Sequence, residues 1–228
     1  MFNGKNKAVT FSFDDGITQD IRIIQILDKY GLKSTFNLNS ELLGLDGTLN
    51  RNDKIVTHIK VSPDKVEEIY RNHEVAVHTL THPSLIRLNV EDIIFQIEQD
   101  RRNLSELCGY DVVGMAYPFG ETNDRVVAAI KENTGVKYAR TVTPTYNFDL
   151  QNDLFRFNPT LHCVETKKLF ELAKDFLEAN DDKPSLFYIW GHGFDFDAFD
   201  CWDTFDEFCK LISGHKNVFY GTNKEVFL

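Results

Sequence analysis

Apolar residues in this chain fall either in short continuous runs or at every third or fourth position, the mark of strands interleaved with helices. Residues 7–13 predict a buried strand, and 19–30 a helix with Ile21, Ile24, Ile26 and Leu27 as its inward stripe. Gly31 stops that helix before a strand at 33–38. Residues 40–60, rich in Gly, Asn and Asp without a sustained period, predict a loop insertion with a short hairpin near Asp46-Gly47. Ser62 as cap and Pro63 at the first helical position start a helix that runs to about Asn72. A strand-like run, Glu74–Val77, follows. Asn89 caps a longer helix, with Asp92 completing a variant capping box and Ile93, Ile94, Ile97, Leu104 and Leu107 as its buried face. Beyond it the pattern gives strands at 112–117, 136–142, 185–190 and 218–220, and helices at 124–134, 166–180 and 204–213.

Polar clusters recur just after the strands: Asp14-Asp15-Gly16, His78 to His82, Pro118-Phe119-Gly120 and Gly191-His192. In a barrel-like α/β domain such strand ends meet at one mouth, and 1–228 is read as one domain of that class. The 228 residues, 42% hydrophobic with 19 phenylalanines, suffice for a sizeable core. A net charge of -10 argues against a nucleic-acid partner, and no apolar run reaches a membrane span. Cys108, Cys163, Cys201 and Cys209 form no ligand pattern and are expected reduced, and the N-terminal residues lack an apolar signal segment. Both observations predict a cytoplasmic location; the oligomeric state is open.

Two adjacent carboxylates at a strand end suit a metal that takes one as ligand and leaves the other ionised as a base. Asp15, His78 and His82 would form a two-imidazole, one-carboxylate set with positions left for water and substrate. Nitrogen and carboxylate donors suit zinc first, then cobalt or nickel, over magnesium or calcium. Thr79, Leu80 and Thr81 fill the space where a helical zinc protease carries glutamate, which removes that chemistry. Asp14 is then the base for an activated water, and backbone N–H groups around Phe119 and Gly120 are candidate oxyanion donors, with Pro118 fixing the turn. An ordinary turn is the other reading of that tripeptide. His192 is the candidate acid for a leaving amine, and Trp190, two residues earlier, either walls a small apolar pocket or is plain core. Asp195, Asp197, Asp200 and Asp203 are all possible partners for His192.

The run Ser12-Phe13-Asp14-Asp15-Gly16, the pair His78-Thr79-Leu80-Thr81-His82 and the strand ending Tyr188, Trp190, His192 together resemble the polysaccharide deacetylase family, the NodB-homology domain of carbohydrate esterase family 4. The resemblance implies a distorted TIM-like (β/α)7–8 barrel, Asp14 as base, Asp15, His78 and His82 as metal ligands, and His192 as acid. It implies removal of N-acetyl groups from an amino sugar or acetylated oligosaccharide; relatives that open cyclic amides make another small amide the alternative substrate. Ala116 stands where the family's third motif usually has arginine, as in a branch carrying Tyr-Pro-Phe-Gly, here Tyr117 to Gly120. Arg140, at a neighbouring strand end, is expected to supply the missing guanidinium, with Arg156 as alternative. No fourth motif is recognisable, which keeps open a degenerate carbohydrate-binding protein.

Overall fold

A computed structural model describes residues 1–180 and 182–228. Its centre is a curled parallel sheet, the distorted barrel that the strand–helix alternation predicts. In chain order the elements are β1 (Lys7–Asp14), α1 (Asp20–Lys29), β2 (Ser34–Leu38), β3 (Thr48–Arg51), β4 (Lys54–Thr57), α2 (Val66–Tyr70), β5 (Glu74–Val77), α3 (Val90–Cys108), β6 (Gly114–Ala116), α4 (Asp124–Asn133) and β7 (Tyr138–Arg140). They continue with β8 (Leu161–His162), α5 (Thr166–Glu178), β9 (Ser185–His192), α6 (Gly193–Ala198), α7 (Trp202–Ile212), β10 (Val218–Tyr220) and α8 (Asn223–Phe227). The sheet order is β7-β6-β5-β2-β1-β9-β8, with β10 pairing the start of β1. Between the β7 and β8 edges runs the segment at Phe157, whose amide donates to Ala139 O at 3.0 Å and whose carbonyl accepts from Thr141 N at 2.9 Å.

β1 is buried at every position, as a central strand covered on both faces must be. Phe11 and Phe13 pack with Phe36, Phe205 and Phe208 from β2 and α7, and the core extends outward from that aromatic cluster. Asn89 caps α3 by accepting from Asp92 N at 2.8 Å. The Asp92 side chain bonds the Asn89 amide group instead of returning to its backbone.

Several expectations need correction. The inner stripe of α1 is Ile23, Ile24 and Leu27; Ile21 faces solvent and Ile26 is half-buried, because the inward positions at 3.6-residue spacing run from the buried Asp20 through 23, 24 and 27. Ser62 caps no amide and bonds the Asp64 carboxylate, so a 3-10 turn at Pro63–Lys65 precedes a helix that ends at Tyr70. Ile94 and Leu107 of α3 are only half-buried. The hairpin of the insertion turns at Asn52-Asp53, not Asp46-Gly47: Arg51 pairs Lys54, and the two turn residues take φ 52° and 58°. Asn and Asp tolerate that left-handed pair, which matches the twist of a two-residue hairpin. The short elements β8, α6 and α8 were not predicted, being too brief to show a period. All four cysteines carry free thiols. No helix among the described residues is long and apolar enough to cross a membrane.

Candidate metal centre and catalytic cleft

Parallel register brings the polar clusters level. Asp14 pairs His192 across β1 and β9 and Asn37 across β1 and β2; Leu38 pairs Val77, the residue before His78; Ala116 pairs Arg140. These strand ends border a cavity of about 600 Å³ whose walls include Asp14, Asp15, His78, His82, Trp190 and His192.

Asp14 is held as an ion. The Arg140 guanidinium donates from Nη2 to both of its oxygens, one at 2.5 Å, and Asn37 Nδ2 donates to Oδ1 at 2.8 Å. Arg140 is itself fixed by Ser12 Oγ at 3.2 Å, by Thr141 O at 3.0 Å and by the Trp190 ring, 4.7 Å from Cζ. Burial pushes the Asp14 carboxyl up, but Arg140, His78 and His192 outweigh it and leave it below the usual carboxylate range. Because Arg140 is the register partner of Ala116, the small side chain leaves that side of the sheet to the neighbouring strand's guanidinium. Arg156 pairs with Asp124 and Asp153 instead, away from the cleft.

Asp15 points elsewhere. Its φ of 84° turns the chain at the strand end, and its Oδ1 lies 3.9 Å from His82 Nε2. One donor atom each from Asp15, His78 and His82 lie within 4.8 Å of one another, a gathering of carboxylate and imidazole donors that a shared divalent metal could draw together as ligands. The protonation states also fit a metal. Burial holds both imidazoles below their ordinary value, His82 at about 4, so both are neutral near pH 7. Burial alone would raise Asp15, but the His58 hydrogen bond and the Lys60 and His192 charges bring it well below the usual range. His78 Nδ1 lies 2.8 Å from Ala116 O, so this nitrogen carries the proton and donates, leaving Nε2 with its lone pair. The Asp100 carboxylate, on α3, accepts from His78 N at 3.2 Å and from Ser40 N at 2.7 Å. Nothing in the strand pattern marks Asp100; only its place on the inner stripe of α3 could have.

His192 closes the cleft opposite. Its Nδ1 lies 3.0 Å from Asp195 Oδ2, and the same oxygen accepts His192 N at 3.1 Å as α6 begins. Of the four aspartates open to the sequence, Asp195 is thus the partner. Burial opposes charging of the imidazole, but Asp195 and the two strand-end aspartates raise His192 above its ordinary value. A second donor group, His162, Cys163 and Asp195, also satisfies metal-ligand spacing. There, burial pushes the Cys163 thiol well up, and Asp195 is already taken by His192 and Arg51, which disfavours a metal.

Of Pro118, Phe119 and Gly120, Phe119 alone lines the cavity. The Gly120 amide donates to Tyr117 O at 2.9 Å, so it is spent in the turn and is no oxyanion donor as expected. An added Cβ at Gly120 would come within 2.3 Å of Val142, which is why the turn carries glycine. Trp190 lines the cavity and meets the His162 ring edge-on, centroids 4.5 Å apart, which favours the pocket-wall reading.

Three solved structures share this architecture. A polysaccharide deacetylase from Bacillus cereus aligns at 20% identity over 64% of this chain and 44% of its own, with a TM-score of 0.52. The Xyl-CE4 domain of a multidomain xylanase from the hindgut metagenome of Trinervitermes trinervoides aligns at 18% over 97% of this chain and 90% of its own, TM-score 0.62. A family 4 carbohydrate esterase from Streptomyces lividans, in complex with acetate, aligns at 14% over 98% and 96%, TM-score 0.58. The chain therefore spans less than half the length of the Bacillus cereus protein. No curated protein matches it significantly. Residues 3–139, more than half of the sequence and including Asp14, Asp15, His78 and His82, match the polysaccharide deacetylase family. With the curled sheet and the strand-end cluster of carboxylates and imidazoles, this match establishes that the chain belongs to the polysaccharide deacetylase family.

Proposed function

We propose that this chain is a zinc-dependent amidohydrolase that removes N-acetyl groups from an amino sugar or acetylated oligosaccharide, in the family branch with Tyr-Pro-Phe-Gly in its third motif. The carrying observation is the division of labour at the end of β1: Asp14 goes to Arg140 while Asp15 faces His82. A divalent metal held by Asp15, His78 and His82 would polarise the acetyl carbonyl and make water nucleophilic near neutral pH. Asp14, kept ionised by Arg140, takes the proton from the attacking water as its oxygen bonds to the acetyl carbon. His192, its Nδ1 held by Asp195, gives a proton to the amine nitrogen as the carbon–nitrogen bond breaks and acetate leaves. Phe119 and Trp190 wall the acetyl end of the cleft.

Zinc-loaded protein should release acetate from N-acetylglucosamine oligomers or from the acetylated monosaccharide, and Asp14→Asn should slow turnover by roughly 10²-fold while retaining zinc. Ring opening of a cyclic amide without acetate release would select the alternative amide substrate. Saccharide binding with zinc present and no turnover of any amide would replace the enzyme by a binding protein.

A further inference from the structure

Residues 45–60 of the insertion form an antiparallel ribbon that lines one wall of the cleft. Beyond β3 and β4 its pairing continues through His58 N to Gly47 O at 2.8 Å and Lys60 N to Leu45 O at 2.9 Å. It is fastened at its tip and flank. Asn52 Nδ2 donates to Ala198 O at 3.1 Å, Lys54 pairs with Asp200, and Gln19 Nε2 joins Thr57 O at 2.9 Å to Asp197 at 2.9 Å. Val56 is buried against Ile17, Phe194 and Ala198.

Three side chains of this ribbon reach inward: Lys60 Nζ donates to Asp15 O at 2.6 Å and lies 3.4 Å from its Oδ1, while His58 and Arg51 go one to each half of the cleft. His58 Nε2 lies 3.1 Å from Asp15 Oδ2, the oxygen opposite the one facing His82. Arg51 Nε donates at 2.8 Å to Asp195 Oδ1, the oxygen opposite the one bonded to His192. Each thus occupies the far oxygen of a buried carboxylate and fixes the rotation of the near one. His58 is not within ligand spacing of both His78 and His82, so it serves Asp15 and not a metal directly. We propose that the ribbon is a working part of the site, with His58 positioning Asp15 for the metal and Arg51 positioning Asp195 behind His192. This rests on the zinc-amidohydrolase reading above.

The two roles predict opposite signatures. His58→Ala should weaken zinc binding about 10–100-fold, the usual effect of removing a group that orients a ligand, and His58→Gln, which keeps a donor, should recover part of it. Arg51→Ala should leave the zinc dissociation constant within about threefold and lower kcat about tenfold at unchanged KM, since the carboxylate it loosens is the one behind His192, which His162 also meets at 3.2 Å, and not Asp15. Zinc affinity would be read by competition with a chromophoric chelator, and kcat on the acetylated substrate that the wild-type protein hydrolyses. Unaltered zinc affinity in His58→Ala overturns the inference, as does equal loss of affinity and kcat in both variants, which is what mere collapse of the ribbon would give. Wild-type protein that binds no zinc overturns the metal reading itself and this inference with it.

Discussion

Replacing Arg140 with methionine tests the electrostatic centre of the molecule. The guanidinium and the Asp14 carboxylate are 1% and 3% exposed, so neither charge has water to fall back on. Removing one partner of such a buried pair costs about 3–5 kcal/mol, most of it the penalty for the charge left behind. The cost should depend on pH in a definite sense. In the wild-type protein the folded Asp14 carboxyl titrates below its unfolded value of about 3.9, so its contribution is present above that pH and lost as the pH falls through the folded value. In the variant, burial is no longer offset by Arg140, and the folded value moves above the unfolded one. The penalty then grows as the pH rises above about 4 and levels off once the folded carboxyl ionises. Urea unfolding of chelator-treated protein, which removes any stabilisation by metal, should show the largest deficit near pH 8 and a smaller one near pH 4.5. The Asp14→Asn, Arg140→Met double variant should be more stable than Arg140→Met alone, because it leaves no orphaned charge. A deficit below about 1 kcal/mol at pH 8, or an equal deficit at both pH values, would refute the account.

Three further outcomes follow from other parts of the structure. Burial pushes the Asp20 carboxyl up to about 8, although it accepts the Tyr70 hydroxyl at 2.7 Å, so this group costs stability increasingly as pH rises from about 4 toward 8. Asp20→Asn should gain on the wild type between about pH 6 and pH 8 in urea midpoints; a variant that loses ground there contradicts the assignment. Zinc at a hundredfold excess over its dissociation constant should add about 2.7 kcal/mol to unfolding, and an unchanged thermal midpoint would deny a metal linked to folding. Gly191→Ala would bring a Cβ within 2.2 Å of Cys163 Sγ and should cost about 1–3 kcal/mol, much of it relieved by Cys163→Ala; an unrelieved loss would place the clash elsewhere.

The strands and the larger helices were legible because their residues repeat at periods that burial enforces, and the strand-end clusters because a parallel sheet gathers such ends. Arg140 was legible in a weaker way, as the one strand-end cation beside the alanine of the third motif, and its register with Ala116 supplies the geometry. Asp195 could not be selected from its neighbours, since the choice depends on α6 starting at Gly193 and turning the third residue back onto His192. The ribbon was more opaque still. Its polar composition reads as a loop, and the inward reach of Arg51 and His58 exists only once Asn52-Asp53 sets the register of the hairpin.

A last feature lies outside any periodicity. Asp15, Thr79, His82 and Phe119 all hold positive φ, at 84°, 67°, 59° and 60°, and all belong to the strand-end turns around the cleft. Such backbone costs roughly 1–2 kcal/mol per residue outside glycine and persists only where the surroundings over-determine it. Here they do. Asp15 N donates to Asn37 O at 2.9 Å, Asn39 Nδ2 grips Thr79 O at 2.9 Å, and Thr79 Oγ1 accepts His82 N at 3.1 Å. The turn under Phe119 is closed by Gly120 N on Tyr117 O. Glycine at these positions would remove the strain, but it would also remove the carboxylate, the imidazole and the ring that the turns present. The reversal at Asp15 is what separates two consecutive carboxylates, sending Asp14 to a guanidinium and its neighbour toward imidazoles. Two consecutive carboxylates at one strand end are thereby held by different hydrogen-bond partners, Arg140 for the first and His58 for the second.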